Sequence, residues 1–454
     1  MTDVTDGIDG RIPLSLDRGT HDFSNGVKSK TLGINRGYLG PVLKVKQGQT
    51  LPVDVINNVG ETSTIHWHGL HIPGDLDGGP HQEISDGDTW SPDIPIAQHA
   101  SMNWFHSHMH GKTARQTHDG LAGILLVEDD ASLSADLPKT YGIDDFTLIL
   151  QDKMFDANGK MAYELSAAVF EDGFEGDTLV VNGAIAPVTQ NVPTGLVRLR
   201  ILNACNARFL ELSMETGPIT VIASDGGFLS APVETDSILM SPGERYEVLV
   251  NMAAIGNNAL NVNLAGGDGG FFSSLFGGNQ TQTALFLQRT AENGFDGSIP
   301  GRLANLEPPK PAEATVTRSF QLEMDVGADL VALAAAWDNF CGKASAMAIN
   351  GQPMNMDRID EKVTKGETEI WRISVDDQLH PFHIHGCSFR ILTQNGGPPP
   401  SYAAGWKDMV HVEDGPSEVL VRFDYEAAKE APYMYHCHIL EHEDCGMMGQ
   451  FTVT

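Results

Sequence analysis

Long apolar runs are absent from this 454-residue sequence, and so is any surplus of basic residues. No stretch of about 18 uncharged apolar residues occurs, which excludes a membrane-spanning helix. Lysine and arginine total 29 against 60 aspartates and glutamates, which gives a net charge of -31. Such a surface repels nucleic acid and anionic lipid, and it attracts cationic substrates or metal ions unless it serves only solubility. We therefore expect neither a nucleic-acid partner nor a membrane partner.

The amino terminus also lacks the pattern of an export signal. Its first ten residues, MTDVTDGIDG, contain no basic stretch followed by an apolar one. We expect a periplasmic or secreted protein if a signal has been removed, and an intracellular protein otherwise.

Cysteine is scarce, with five residues in the whole chain. An odd count without short repeated spacings argues against a disulfide framework or a zinc knuckle. Cys387 and Cys445 each flank a histidine motif and could approach each other, whereas Cys205 and Cys341 are expected to be small buried apolar residues. Cys437 is the cysteine that needs a chemical explanation.

Stretches with a helical period are nearly absent, and short β-rich segments bounded by Gly, Pro, Asn and Asp recur instead. Predicted strands include residues 42–45, 196–202, 245–250, 369–375 and 418–423. Residues 328–336 are predicted to form a short helix, and the glycine-rich residues 266–278 a loop. The sequence therefore predicts an all-β protein built of sandwiches.

A weak internal repeat divides the chain into three copies. A turn, a second glycine and a strand recur in residues 39–56, 182–202 and 350–375. Polar residues around 130–140 and the proline-rich residues 301–315 separate the copies. We therefore predict three domains, at residues 1–135, 136–305 and 306–454.

Ten of the 17 histidines fall in four tight clusters in the first and third copies. The clusters are His66 and His68; His106 and His108; His380, His383 and His385; and His436, His438 and His442. A single His-x-His motif is often structural, but four of them in a repeated chain predict a metal centre.

The fourth cluster is predicted to supply two metal sites from one strand. Residues i and i+2 of a strand point to one face, and residue i+1 points to the other. His436 and His438 therefore face one way while Cys437 faces the other. This arrangement suits electron transfer from a sulfur-bound metal to imidazole-bound metals.

On the sulfur side, Cys437, His442 and Met447 lie at offsets of five and ten residues, and His380 completes the set. Thiolate, two imidazoles and a weak thioether make a trigonal blue-copper site, whereas zinc prefers a closed tetrahedral set and rarely uses methionine. Met448 competes with Met447 for the axial role. Eight imidazoles remain on the other side, which suits three coppers with open positions for dioxygen.

The four histidine motifs resemble those of the multicopper oxidases, and the three-domain bacterial laccases and cuprous oxidases are the most similar. The motifs read HWHG from His66, HSH from His106, HPFHIHG from His380 and HCHILEHEDCGM from His436. The likeness extends to GDLDGGP at residues 74–80 and GWKD at residues 405–408, and it covers most of the first and third predicted domains. It implies three cupredoxin-like Greek-key β-sandwiches, with the first and third clasping a three-copper cluster and the second acting as a spacer.

Position by position, the resemblance implies four coppers per chain. The type 1 copper would be held by His380, Cys437, His442 and Met447. The type 2 copper would take His66 and His383, and the type 3 pair His68, His106, His108, His385, His436 and His438. Asp77 and Glu443 match carboxylates that supply protons near the type 2 copper and the type 3 pair; the alternative is that each is a solvated loop charge. His110 is expected beside the ligands rather than among them.

The resemblance implies a laccase that oxidises phenols and aromatic amines at an exposed imidazole, His380 or His442, while dioxygen is reduced to water. The axial Met447 indicates a modest copper potential and easily oxidised phenols. The alternative is a cuprous or ferrous metallo-oxidase in copper tolerance, although the 16 methionines are dispersed rather than clustered. An electron carrier would need only the type 1 copper, and a nitrite reductase would lack most type 3 ligands. We expect a monomer.

Overall fold

A computed structural model describes residues 1–7, 10–265, 280–324, 347–376 and 378–454. Strands predominate in these residues, and the predicted all-β fold is confirmed. No helix among them is long and apolar enough to cross a membrane. The predicted helix at residues 328–336, the predicted loop at 266–278 and Cys341 lie outside the described residues.

Two sheets form the first sandwich. Its strands are β1 Thr2–Asp3, β2 Ile12–Asp22, β3 Lys28–Ile34, β4 Val42–Lys46, β5 Thr50–Asn58, β6 His66–His68, β7 Thr89–Trp90, β8 Asp93–Pro95, β9 Ser101–His106 and β10 Ala122–Glu128. One sheet has the order β1-β4-β10-β9-β6, and the other has β3-β2-β5-β7 with β8 also on β5. In β5, Leu51, Val53 and Val55 are buried while the residues between them are half-buried, so one face joins the core.

The second sandwich also consists of two sheets. Its strands are β11 Asp145–Phe155, β12 Met161–Ala162, β13 Thr178–Val181, β14 Ala184–Ile185, β15 Val188–Thr194, β16 Leu196–Asn203, β17 Phe209–Met214, β18 Ile219–Ser224, β19 Gly227–Thr235, β20 Ser237–Met240, β21 Arg245–Asn251, β22 Asn258–Ala265 and β23 Gln280–Asn293. One sheet has the order β14-β13-β11-β16-β21-β18-β19, with β12 on β11, and the other has β15-β23-β22-β17-β20. β16 is buried on both faces, with Leu199 and Ile201 in the core and Arg198 and Arg200 paired with Glu247 behind it.

The third sandwich carries an aromatic core of Phe320, Trp371, Tyr435 and Phe451. Its strands are β24 Ala314–Met324, β25 Met347–Ile349, β26 Glu361–Val363, β27 Thr368–Val375, β28 His380–Ile384, β29 Arg390–Thr393, β30 Met409–Val412, β31 Ser417–Arg422, β32 Tyr433–Cys437 and β33 Met448–Val453. One sheet has the order β25-β24-β27-β31-β29, and the other has β26-β33-β32-β28-β30. The domain limits given by the sequence stay a prediction.

Short helices lie in the connections. They are α1 Thr113–Asp119, α2 Asp130–Ser134, α3 Ala167–Asp172, α4 Met252–Ile255 and α5 Leu440–Asp444, with 3-10 turns at Gly74–Leu76, Pro311–Glu313 and Ser401–Ala403. Sequence periodicity missed them because each spans two turns or fewer. α1 and α5 join the first sandwich to the third, since the Asp444 carboxylate accepts the backbone N–H groups of Thr113 and Ala114, both at 2.9 Å.

Candidate metal centre

Strands β6 and β9 of the first sandwich face β28 and β32 of the third, and the histidines meet between them. β6 pairs with β9 so that His66 lies opposite His106, and β28 pairs with β32 so that His383 lies opposite His436. Groups of ligand atoms within 4.8 Å of one another put His436 with one set of histidines and Cys437 with another. The two neighbouring residues therefore face different sites, as strand alternation predicts.

One buried triad consists of His108, His385 and His436. Their Nε2 atoms lie 3.2 to 3.3 Å apart. His385 donates its Nδ1–H to Asp77 Oδ2 at 2.7 Å, and His436 donates its Nδ1–H to the Cys437 carbonyl at 2.9 Å. A neutral imidazole carries one proton, so the Nε2 atoms of His385 and His436 present lone pairs to each other. Facing lone pairs at this distance repel unless a cation lies between them, which fits a bound metal ion.

The second buried triad consists of His68, His106 and His438. His106 donates its Nδ1–H to the Ser107 carbonyl at 2.8 Å, which leaves its Nε2 as an acceptor. His68 reverses this arrangement, because its Nε2 lies 3.2 Å from the Asp408 carboxylate and its Nδ1 is left over. His106 Nε2, His68 Nδ1 and both His438 nitrogens are buried and have no hydrogen-bond partner among the described residues. Unpaired buried nitrogens are costly, and metal ligation removes that cost.

His66 and His383 complete the imidazole side. The His66 ring stacks on His385 and the His383 ring on His68, both with ring centres 3.8 Å apart. Each donates its Nδ1–H to a backbone carbonyl: His66 to that of Asp77 at 2.9 Å, and His383 to that of Asp408 at 2.8 Å. Their Nε2 atoms are buried without a partner in the part of the chain that the structure describes.

The sulfur side contains His380, Cys437 and His442, all buried. Cys437 Sγ lies 3.4 Å from His380 Nδ1 and 3.8 Å from His442 Nδ1, and it accepts the Ile439 N–H at 3.4 Å. The backbone of Cys437 donates to the Met447 carbonyl at 3.0 Å, and both side chains belong to the core of the third sandwich. One thiol with two imidazole nitrogens aimed at it is the donor set of a trigonal copper site.

The expectation of an exposed copper-bound imidazole is wrong. His380 is 1% exposed and His442 is fully buried. His442 Nε2 donates to the carbonyl of Glu171 in α3 at 3.1 Å, so the second sandwich covers this ring. The sequence could not predict this contact, because α3 is short and lies far from His442 along the chain.

Burial favours the neutral form of several of the clustered histidines. Desolvation, followed by repulsion from neighbouring imidazoles, holds the pKa of His68, His108 and His385 well below the usual range. The same desolvation lowers the pKa of His438 to about 3. Neutral imidazole is the form that binds metal, so the donors are ready at neutral pH.

Two carboxylates named by the sequence lie against the triads. Asp77 contacts His385 at 2.7 Å and lies 3.3 Å from His66 Nδ1. Glu443 places one oxygen 3.2 Å from His108 Nδ1 and the other 3.2 Å from His436 Nδ1. Both are buried, and burial raises the pKa of Glu443 well above its usual range. A solvated loop charge therefore describes neither residue.

Asp408 is a third buried carboxylate at the histidines, and sequence reasoning gave it no role. It contacts His68 and His383 and is itself paired with Arg245 of the second sandwich. The GWKD motif at residues 405–408 was the available signal, but the motif alone does not reveal which histidines its aspartate reaches.

The remaining histidines and cysteines are not part of the two candidate metal sites. His110 is in none of the clusters of three or more potential metal ligands within the described ranges. Cys205 is buried, as predicted, and its thiol is free. Cys387 is a free buried thiol and Cys445 is disulfide-bonded, so the two are not joined to each other. Both belong to the core of the third sandwich, and their direct approach stays a prediction.

Comparison with known proteins gives matches over most of the chain. Three family models described as multicopper oxidase match residues 15–132, 126–289 and 325–454. A cell division protein FtsP from Edwardsiella tarda is 36% identical over 445 residues, covering 97% of this chain and 89% of the relative.

Solved structures are similar over the full length. A laccase-like multi-copper oxidase CueO from Ochrobactrum sp., described as active towards lignin model compounds and lignosulfonate, is 40% identical with a TM-score of 0.91, covering 100% of this chain and 99% of that one. A metallo-oxidase from Campylobacter jejuni is 25% identical with a TM-score of 0.83, covering 100% and 94%.

Proposed function

This chain belongs to the multicopper oxidase family, with three cupredoxin-like sandwiches, and on that premise we propose that it is a laccase-type enzyme. It would take single electrons from phenols and aromatic amines and reduce dioxygen to water. The observation that carries the proposal is the division around β32, with eight buried imidazoles on one side and a thiol with two imidazoles on the other.

We propose four coppers per chain, held by the residues that the sequence named. The type 1 site would be His380, Cys437, His442 and Met447; the type 2 site His66 and His383; and the type 3 pair the triads of His68, His106 and His438 and of His108, His385 and His436. Bound copper would supply the one-electron steps and the binding of dioxygen. The converging nitrogens of both triads support this assignment.

Met447 is the better candidate for the axial ligand. Its side chain shares the core cluster of Cys437, whereas Met448 begins β33 and lies opposite His436 in the strand pairing. Residues opposite each other in a sheet point to the same face, so Met448 belongs with the imidazole side of β32.

Glu443 and Asp77 would move protons. Glu443 touches His108 of the first sandwich and His436 of the third, and burial raises the pKa of its carboxyl well above the usual range, which favours the protonated form. A buried acid at this position could donate one proton during the reduction of dioxygen and be reprotonated from solvent between turnovers. Asp77 accepts a hydrogen bond from His385 Nδ1–H and would thereby fix which ring nitrogen faces the metal.

The electron donor would dock against α3, which covers His442. His442 Nε2 donates to the Glu171 carbonyl, so this hydrogen bond connects the ring to α3. Glu171 and Asp172 also make this cover acidic, which favours a second candidate function, the oxidation of cuprous or ferrous ions. The similar structure from Campylobacter jejuni is described as a metallo-oxidase, which supports this second candidate.

A role without catalysis is a further alternative, since a cell division protein is among the relatives. A copper-free scaffold has no need for buried imidazoles with unpaired nitrogens, which are costly without a metal. We also propose a monomer in the periplasm or outside the cell, because the disulfide at Cys445 suits an oxidising compartment.

Oxygen uptake by the copper-loaded protein tests the function. We expect faster uptake with a dimethoxyphenol than with Cu(I), and none above background with Cys437→Ser, which removes the sulfur ligand. Faster uptake with Cu(I) would replace the laccase assignment by the metallo-oxidase one. No uptake with either donor would contradict both.

A further inference from the structure

We propose that Arg245, a residue of the middle sandwich, is a positioning residue for the three-copper site. It acts through Asp408, which sets the ring nitrogens that His68 and His383 offer to the metal. The inference rests on the proposed copper binding and deepens it. The middle sandwich then does more than separate the other two, although it provides no histidine to either triad.

Arg245 contacts all three sandwiches and is fully buried. Its Nη1 and Nη2 atoms donate to the two Asp408 oxygens, both at 2.6 Å, in a bidentate pair. Its Nε donates to the carbonyl of Met102 in β9, and Nη2 donates to that of Asp225 at the end of β18. A guanidinium is always charged and planar, so this fork holds the carboxylate in one orientation.

Asp408 then gives opposite tautomers to two histidines. Its Oδ1 lies 3.2 Å from His68 Nε2, so the proton of His68 stays on Nε2 and Nδ1 is left for the metal. Its backbone carbonyl accepts the Nδ1–H of His383 at 2.8 Å, so Nε2 of that ring is left. Both leftover nitrogens are buried and unpaired among the residues that the structure describes.

Gly69, directly after His68, shows how closely this pair is packed. A Cβ atom there would lie 2.7 Å from Arg245 Nη2 and 2.8 Å from Asp408 Oδ2. Its φ of +89° is also a conformation that favours glycine. The ion pair therefore lies directly against the backbone next to His68, with no room for a side chain between them.

Arg245→Gln tests the proposal, with Arg200→Gln as the matched control. Arg200 is another buried arginine of the middle sandwich; it pairs with Asp145 through two nitrogens, at 2.7 and 2.8 Å, and its ion-pair partners among the described residues are carboxylates that do not contact the clustered histidines. Copper affinity is measured by titration with a chelator, with electron paramagnetic resonance separating the type 1 and type 2 signals. Changing a residue that orients a metal ligand lowers metal affinity by about 10- to 100-fold.

We expect Arg245→Gln to lose affinity at the three-copper site by that factor and to keep the blue type 1 signal, while Arg200→Gln matches the wild type. Unchanged type 2 signal and affinity in Arg245→Gln would overturn the proposal. So would an equal loss in both variants, because the effect would then be a general destabilisation. A wild type that binds no copper would instead contradict the proposed function.

Arg245→Lys provides the measurement if Arg245→Gln does not fold. Lysine keeps the buried positive charge but cannot form the bidentate pair with Asp408. We therefore expect Arg245→Lys to lose some copper affinity at the three-copper site, but less than the roughly 10- to 100-fold loss expected when an orienting residue is removed. Wild-type affinity in Arg245→Lys would show that charge alone suffices and that the positioning role is wrong.

Discussion

Single protons on single nitrogens decide what the histidines can bind. His66, His106 and His436 each donate Nδ1–H to a backbone carbonyl, which leaves Nε2 free for a metal. These acceptors fix each ring in one tautomer and one orientation. The donor set is therefore arranged by oxygen atoms that are not themselves ligands.

Replacing Met447 by leucine tests the axial ligand at this scale. A weak thioether lowers the potential of a trigonal copper site, so Met447→Leu should raise the type 1 potential and keep the blue colour. The measurement is a redox titration of the blue absorption. Met448→Leu is the matched control and should leave the type 1 potential unchanged. A shift of the potential in Met448→Leu but not in Met447→Leu would instead identify Met448 as the axial ligand.

Glu443→Gln tests the proton donor. Glutamine keeps the shape and removes the acid, so kcat should fall by about 10²- to 10⁴-fold while the copper content stays the same. In the wild type, kcat should fall as pH rises through the raised pKa of Glu443, because the carboxyl then loses its proton. The kcat of Glu443→Gln should not show this fall. Glu441→Gln changes an equally buried acid that bonds Tyr163 and Asn206 instead. Equal losses of kcat in Glu443→Gln and Glu441→Gln would contradict the assignment of Glu443 as the proton donor.

The division of the donors between two sides of β32 was predictable from spacing, because His-x-His and His-Cys-His on strands sort by alternation. The assignment of each histidine to one copper came from the family resemblance and stays a prediction. Asp408 and Arg245 were not, since their roles depend on contacts between sandwiches. His68 and Asp408 are 340 positions apart in sequence. A local sequence pattern cannot predict a contact between residues so far apart in sequence.

At the scale of elements, α5 connects several parts of the site within five residues. Glu441 bonds Tyr163 of the second sandwich, His442 faces the sulfur, Glu443 faces the triad, and Asp444 accepts N–H groups at the start of α1. A helix turns by about 100° per residue, so consecutive side chains point in different directions. The side chains of a strand point in only two directions. β32 alone therefore cannot supply every contact that the site needs.

The cover over His442 should weaken as pH rises. Burial, together with repulsion from Glu171, raises the pKa of Asp172 to about 6, and burial raises that of Glu175 to about 7. A raised folded-state pKa gives stability that is fully present below the unfolded values near pH 4 and is lost as pH rises through 6 to 7. We therefore expect Tm to fall between pH 5 and pH 8 by more in the wild type than in Asp172→Asn/Glu175→Gln. An equal fall of Tm with pH in the wild type and in the double variant would contradict this prediction.

At the scale of the whole molecule, the three sandwiches bury one centre between them. The sequence predicted the sandwiches, the repeat and the histidine-free middle copy. It missed that the middle sandwich covers His442 through Glu171 and reaches the triads through Arg245, because surface loops and buried ion pairs leave no periodic signal. The role of the middle sandwich as a spacer stays a prediction, and these two contacts show that it also touches the residues around the centre.

The number and kind of coppers test the central claim most directly. Metal analysis with electron paramagnetic resonance on the wild type and Cys437→Ser compares the two sides of β32. We predict four coppers per chain in the wild type, and three in Cys437→Ser with the blue signal lost and the type 2 signal kept. Fewer than three coppers in the wild type, or a blue signal that survives in Cys437→Ser, would contradict the account.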